Sequence, residues 1–348
     1  MSEFAEKIIQ WQRQHGRHDL PWQNTHDPYA IWVSEIMLQQ TQVSAVIPYY
    51  LRFMQRFPDI TTLASAEQEE VLQYWSGLGY YSRARNLHAA AQQIQAHHGG
   101  RFPTDFDSVV ALPGIGRSTA AAILSFAYGQ PRAILDGNVK RVLARYYGIE
   151  GWPGKPAIEK KLWSLAESLL PQQDNESYIQ GLMDLGATVC TRSKPSCGTC
   201  PLQGQCIAHR NHLTAKLPSA KPHVLLPEKH TCMLLLLDGP EILLEKRPPT
   251  GIWGGMWGLP EVTSLEDAAD AVRQRFGVEA EVVRELPLLK HGFTHFRLHI
   301  KPMVMRVVKR MPQLRQGGFV WLEIEEALGS AIPSPVSKLI AGLSDSAN

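Results

Sequence analysis

The sequence has no long apolar run, almost no net charge and few cysteines, and each shortage removes a class of function. The apolar stretch Met233–Leu237 is far short of a bilayer span, which excludes a membrane-spanning helix. The N-terminus carries Glu3, Glu6 and Lys7 with no apolar stretch behind them, so no secretory signal is expected and the expected compartment is the cytoplasm. A net charge of +2 over 348 residues identifies no partner. Residues 1–225 balance to +3 and residues 226–348 to −1, so a nucleic-acid site must be a local patch on the first part, not a global field. Of the five cysteines, four fall between Cys190 and Cys206, and Cys232 sits alone in an apolar run. That crowding does not suit the disulfide framework of a secreted chain. No internal repeat or low-complexity tract is present. What remains is 44% hydrophobic and long enough for two domains.

The first part reads as all-α. Val43, Val46, Ile47, Tyr50, Leu51 and Met54 recur at helical spacing, as do Ile158, Leu162, Leu165, Ala166 and Leu169. Gly/Pro breaks at Phe57-Pro58, Gly77–Gly79, Gly99-Gly100, Pro113–Gly116 and Gly151–Gly154 punctuate the helices. Residues 209–228 have a linker composition, with Pro218, Pro222 and Pro227 among His209, His212, Lys216, Lys221 and His223. Beyond them Thr231–Leu237, Glu241–Lys246, Leu298–Val308 and Gly318–Leu322 read as strands and Leu265–Phe276 as a helix. The expected architecture is an all-α domain over 1–208, a linker over 209–228 and a small α+β domain over 229–348.

Cys190, Cys197, Cys200 and Cys206 follow Cys-x6-Cys-x2-Cys-x5-Cys. Four thiolates at this spacing suit zinc or an iron–sulfur cluster, and the single Cys-x2-Cys knuckle with no wide gap favours a compact loop around a cluster. Arg192 and Lys194 would then stand on a pinned loop, either as phosphate contacts or as solvated charge. Leu112-Pro113-Gly114-Ile115-Gly116-Arg117-Ser118-Thr119-Ala120 joins two helical stretches. Gly114 and Gly116 allow positive φ and close backbone approach, and the following helix N-terminus can hold a phosphate. Twenty residues on, Leu135-Asp136-Gly137-Asn138-Val139-Lys140-Arg141 places a carboxylate before a basic helix start.

A helix–hairpin–helix, then an Asp, then a four-cysteine loop resembles the endonuclease III superfamily of DNA glycosylases. Leu20–Gln23, Ser34–Val43, Gly77–Leu87 and Ile134–Leu143 are similar in detail to its adenine DNA glycosylases, and the resemblance covers the whole chain. It implies an enzyme that removes adenine mispaired with 8-oxoguanine or guanine from double-stranded DNA. It also implies one 4Fe-4S cluster on Cys190, Cys197, Cys200 and Cys206, a monomer, and a bacterial, nucleoid-associated setting.

Breaking an N-glycosidic bond calls for an acid at the base and a negative charge near the sugar. Glu35 lies among Ile36, Met37 and Leu38, a setting that raises a carboxyl pKa. The resemblance assigns Glu35 as general acid and later activator of water, and Asp136 as the carboxylate that stabilises the sugar cation, by charge or through a covalent step. It puts Asn138 beside that site. Bifunctional members carry a Lys nucleophile where this chain has Ser118, so a monofunctional glycosylase is expected. The resemblance makes Gln40 and Tyr80 the residues that fill the gap when the target base leaves the duplex; read without it, Tyr80 is a core-packing residue. Arg83, Arg85, Lys140 and Arg141 read as phosphate contacts or as solvated surface.

Leu243–Pro249 followed by Gly251–Pro260 looks like the entry to a Nudix fold. The Arg-Glu-x2-Glu-Glu pattern of a Nudix hydrolase is missing from Leu265–Gly277, so a recognition domain without cation-dependent hydrolysis is expected. The resemblance assigns Phe293, Thr294 and His295 to contact 8-oxoguanine, with Thr294 where many relatives carry Ser. Read without it, Phe293 and His295 are ordinary strand residues. Two other functions compete: a bifunctional pyrimidine glycosylase/lyase, opposed by Ser118 and the second domain, and a non-catalytic damage-binding protein, opposed by the intact Glu35 and Asp136.

Overall fold

A computed structural model describes residues 1–222, 225–311 and 318–344. His223, counted with the linker, lies outside them. By packing, the chain divides into two units: Met1–Ser65 with Asn86–His223, and Ala66–Arg85 with Val224–Asn348.

The first unit is helical, as the sequence predicts, and some of its helices begin where the chain supplies a cap. Asp27 accepts from the backbone N–H of Tyr29 and Ala30, and Pro28 pre-sets the first turn of Pro28–Leu38. Asp136 caps Gly137–Tyr146 by accepting from Val139 N–H. Gly129, at φ +64°, ends Arg117–Tyr128 in the left-handed conformation a β-carbon disfavours. Pro28–Leu38 is apolar nearly all round and buries Ile31, Trp32, Val33, Ile36 and Met37. Helix Glu3–His15 sends Phe4, Ile8 and Ile9 into a core with Val142, Leu143, Tyr178 and Leu182, where the Phe4 and Tyr146 rings meet edge-on at 4.8 Å. On Val43–Arg56 the buried face is Val46, Tyr50 and Phe53. Leu51, expected on that face, is 53% exposed because it lies one step off the 3.6-residue period that Phe53 keeps.

The second unit is a mixed sheet: β1 (Glu228–Asp238), β2 (Glu241–Lys246), β3 (Trp257–Gly258), β4 (Glu261–Val262), β5 (Val278–Glu285), β6 (Leu289–Gly292), β7 (Arg297–Arg310) and β8 (Phe319–Glu323). The order is β3-β2-β1-β7-β5, with β4 on β1, β6 on β7 and β8 on β2. β1 and β7 pair in parallel from Glu228↔Arg297 to Leu237↔Arg306. As a central strand β1 is covered on both faces, hence the unbroken buried run Cys232–Leu236 in place of alternation. Helix Ala268–Phe276 lays Ala268, Val272 and Phe276 on Leu234, Leu236, Leu243 and Met305.

Gln68–Trp75 packs with this sheet's glycine-rich turn. A β-carbon at Gly255, whose φ is +76°, would come within 3.1 Å of Gln68 Nε2. Glu69 accepts from Lys246 Nζ and Trp257 Nε1. Gln73 Nε2 donates to Gly329 O at 2.7 Å, and Ser76 Oγ to Ile332 O at 2.8 Å. Leu234→Ala, in the fully buried sheet core, should destabilise the second unit by about 2–5 kcal/mol, read as a lower denaturant midpoint for that unit's unfolding transition.

Candidate active site and nucleic-acid interface

A cavity of about 1190 Å³ opens in the first unit, lined among others by Glu35, Gln40, Gly116, Ser118, Asp136 and Asn138. Further polar lining that sequence reasoning assigned no role includes Gln39 and Thr41, which lie within the Ser34–Val43 motif, and Gln180 and Thr188, which no motif marked. Glu35 is the only acid on helix Pro28–Leu38, most of whose residues are buried. Burial first, and then the charge of Asp136, push its pKa up to about 7.

Asp136 is pulled in two directions. Burial raises its pKa, while hydrogen bonds from Val139 N–H and Asn138 and the charge of Arg141 lower it; burial prevails, leaving it raised. Its Oδ1 accepts from Val139 N at 2.8 Å and its Oδ2 from Asn138 Nδ2 at 3.1 Å. The chain of contacts continues. Asn138 Oδ1 accepts from Arg141 Nη2 at 2.8 Å, and Arg141 Nε donates to Cys190 O at 2.7 Å. Ser118 Oγ accepts from Leu135 N at 3.0 Å and so fixes the residue before Asp136.

Gly186, in the π-helical turn Leu185–Val189, makes this approach possible: a β-carbon there would come within 2.5 Å of the Asn138 β-carbon. No sequence signal marked it. Gly114, at φ +78°, packs a missing side chain's space against Asn86, and Gly116 heads helix Arg117–Tyr128 with no side-chain cap. That helix start therefore keeps backbone N–H groups for another acceptor. Gln40 is exposed at φ +60°, a strained backbone of the kind concentrated at functional sites.

Cys190, Cys197, Cys200 and Cys206 ring one small pocket with Arg145, Val189, Pro195 and His209. Among the described residues no three His, Cys, Asp or Glu side chains converge as ligands of a single ion. Four thiols lining one pocket can hold an iron–sulfur cluster. Arg145 Nη1 lies 3.4 Å from Cys190 Sγ and also donates to Thr191 O, while Nη2 donates to Arg192 O. The loop backbone is thus pinned while the Arg192 and Lys194 side chains remain exposed.

The remaining candidates lie outside the cavity. Tyr80 belongs to the second unit, 43% exposed and at φ +51°. The Arg83 guanidinium covers the Tyr80 and Trp75 rings, and Arg83 Nη2 and Trp75 Nε1 both donate to Gly79 O at 3.1 Å. Phe293, Thr294 and His295 form the turn between β6 and β7 and are not strand residues. Phe293 stacks on Phe296 at 4.4 Å, leaving Thr294 and His295 exposed. The four cations offered as phosphate contacts or solvated surface all have partners within the protein. Arg83 is buried, Lys140 pairs with Glu159 at 2.6 Å, Arg141 points inward, and Arg85 Nη1 donates to Gly254 O at 3.0 Å.

Residues 33–168 match the HhH-GPD superfamily base excision DNA repair protein family, 190–206 the iron-sulfur binding domain of endonuclease III, and 231–342 the NUDIX domain. The chain is 37% identical to the adenine DNA glycosylase of Buchnera aphidicola subsp. Acyrthosiphon pisum over 97% of this chain and 96% of that protein. It belongs to the adenine DNA glycosylase family. The human adenine DNA glycosylase is 33% identical over 97% of this chain and 73% of that protein. A solved thermostable thymine-DNA glycosylase matches this glycosylase with a TM-score of 0.54 at 30% identity, covering 60% of this chain and 95% of that one. A non-covalent endonuclease III–DNA complex shares the fold with a TM-score of 0.52, over the same shares of the two chains. The glycosylase is a DNA-binding base-excision-repair enzyme with an iron–sulfur binding loop and a Nudix-like domain. Among its described residues no helix is long and apolar enough to cross a membrane.

Gly186→Ala should push Asn138 away from Asp136 and slow adenine release by at least about tenfold, measured by single-turnover excision, with the iron content of the purified protein unchanged.

Proposed function

We propose that this glycosylase hydrolyses the N-glycosidic bond of adenine mispaired with 8-oxoguanine or guanine in duplex DNA, as a monomer in a bacterial cytoplasm, and leaves the strand uncut. The observation that carries the reading is Glu35, held at a pKa of about 7 in the same cavity as Asp136. Such a carboxyl is still protonated near neutrality and close enough to its working pH to transfer that proton. Glu35 gives its proton to a ring nitrogen of the extruded adenine. The bond from the sugar to the base breaks with its electron pair leaving on the base. The Asp136 carboxylate faces the positive charge that develops on the sugar, and Asn138 holds that carboxylate in place. Water then adds to the sugar carbon and its proton goes to the Glu35 carboxylate, which restores the acid.

Ser118 offers no amine for an imine, and its hydroxyl is occupied by Leu135 N–H. One 4Fe-4S cluster on Cys190, Cys197, Cys200 and Cys206 would pin the loop that presents Arg192 and Lys194 to a phosphate; excision itself is a hydrolysis and transfers no electron. Gly114 and Gly116 hold a second phosphate at the uncapped helix start. Gln40 and Tyr80 occupy the gap left by the extruded base, one by an amide and the other by its ring. Phe293, Thr294 and His295 read the base opposite adenine, the Thr294 hydroxyl supplying a hydrogen bond. The second domain, joined through residues 209–228, serves recognition without hydrolysis of its own.

The decisive experiment is single-turnover excision from a duplex carrying adenine opposite 8-oxoguanine, with Glu35→Gln in parallel and each sample split with and without alkali. Wild type should show strand cleavage only after alkali, and Glu35→Gln should be slower by about 10²–10⁴-fold. Cleavage without alkali would return a lyase to consideration. No cleavage by an iron-loaded, DNA-binding wild type would end the reading for this substrate. Because the protonated Glu35 is the active form, the excision rate should fall as pH rises through about 7, and the fall should be absent from the residual rate of Glu35→Gln.

A further inference from the structure

Within the second unit the Tyr80 turn and the Phe293–His295 turn are joined by a short physical chain. Phe293 meets the Trp253 ring at 5.6 Å. Trp253 is buried and holds a φ of +54°, a left-handed backbone that a bulky residue adopts only when its surroundings fix it. The next residue, Gly254, has no room for a side chain, since a β-carbon would come within 2.6 Å of Pro249 O. Its carbonyl is therefore set in a tight turn, and that carbonyl accepts from Arg85 Nη1 at 3.0 Å. Arg85 lies in the first turns of helix Ser82–His98, where its own N–H donates to Tyr81 O at 3.2 Å. From there Arg83 N–H donates to Tyr80 O at 2.8 Å and the Arg83 guanidinium lies over the Tyr80 ring. Burial lowers the Arg85 pKa, in keeping with a half-buried guanidinium.

We propose that Arg85 is a positioning residue that couples the Tyr80 turn to the Phe293–His295 turn, so that preference for the lesion opposite adenine depends on a side chain that touches neither base. The inference rests on Tyr80 and Phe293–His295 contacting the mispair, as given under Proposed function. Arg85 fixes where the Trp253 turn sits relative to the Tyr80 turn, and Trp253 supports the Phe293 ring. Loosening the bond to Gly254 lets the two turns settle independently. Excision opposite 8-oxoguanine then loses its advantage, while Glu35 and Asp136 are untouched.

The test uses the full-length, iron-loaded protein and compares single-turnover excision of adenine opposite 8-oxoguanine with that opposite guanine. Arg85→Ala should lower the ratio of the two rates by about tenfold with the thermal midpoint little changed. Arg85→Lys, which still carries a donor for the Gly254 carbonyl, should keep most of the ratio. Phe293→Ala should lower the ratio by itself, and Arg85→Ala/Phe293→Ala should lower it no further than the larger single effect. Independent, multiplying effects of the two substitutions would overturn the coupling and leave the reading of the Phe293 turn intact. A phosphate contact at Arg85 would also overturn it, by weakening binding to both duplexes equally and reducing the salt dependence by about one ion. An unchanged ratio in Phe293→Ala would instead sink the reading of that turn as a base contact, and the coupling with it.

Discussion

Two carboxylates facing one cavity cannot both carry charge cheaply, and the architecture around Glu35 and Asp136 follows from that constraint. Burial raises both, so the difference between them comes from hydrogen bonds. Asp136 begins a helix, where backbone N–H groups and the helix dipole favour an anion. Glu35 sits inside a largely apolar helix, and among the described residues no hydrogen bond to its ionised form offsets the loss of water. A local decision, which carboxylate caps a helix and which does not, sets which one holds the proton. The contacts from Asp136 through Asn138 and Arg141 to the Cys190 carbonyl extend the same arrangement to the cysteine loop. The part of the protein that carries exposed cations is thus tied by three hydrogen bonds to the cavity that Glu35 and Asp136 line.

Much of this was legible in the sequence where a residue type is forced by geometry. The four cysteines announced themselves by spacing, Gly114 by the turn it permits, and the two-part architecture by the change from helical to strand periodicity; Gly116, at φ −92° with open space around it, is not forced by its backbone. Glu35 was not legible by itself: a glutamate among Ile36 and Met37 is an ordinary helix residue until the surrounding motif assigns it. Gly186 was illegible because the clash it avoids is with Asn138, far away in sequence. The partners of Arg83, Arg85, Lys140 and Arg141 within the protein were illegible for a related reason. Charge is visible in a sequence but direction is not, and all four turn toward carbonyls, rings or a carboxylate of the protein. Strand β5 escaped notice because its residues beyond Val278 are half-exposed or exposed, so no apolar face alternates along it.

The Nudix-like sheet shows how a fold can keep its shape while its acidic groups take other duties. Glu245 pairs with Arg275 and Glu261 with Arg247, and Glu69 takes Lys246 and the Trp257 indole. Half-exposed ion pairs of this kind contribute little to stability one by one. Their effect is directional. They fix the glycine-rich turn at Gly251–Gly255 and the helix Gln68–Trp75 beneath it, and that turn carries Trp253. The same stretch that reads as the entry to a phosphate-hydrolysing fold serves here as a mounting for aromatic rings.

The membership of Ala66–Arg85 in the second unit has a consequence for biosynthesis. Its hydrogen-bonding partners, Lys246, Gly254, Gly329 and Ile332, emerge from the ribosome long after it does, and β1 must wait for β7 before its parallel edge closes. Sequence-distant pairing of this kind is slow and leaves early segments waiting for late ones. The helix and turn that bear Tyr80 are therefore among the first parts of the chain to be made and among the last to find their permanent neighbours, so a nascent chain cut short before Lys246 would carry the Glu35 and Asp136 carboxylates with none of those partners yet made for the segment that bears Tyr80.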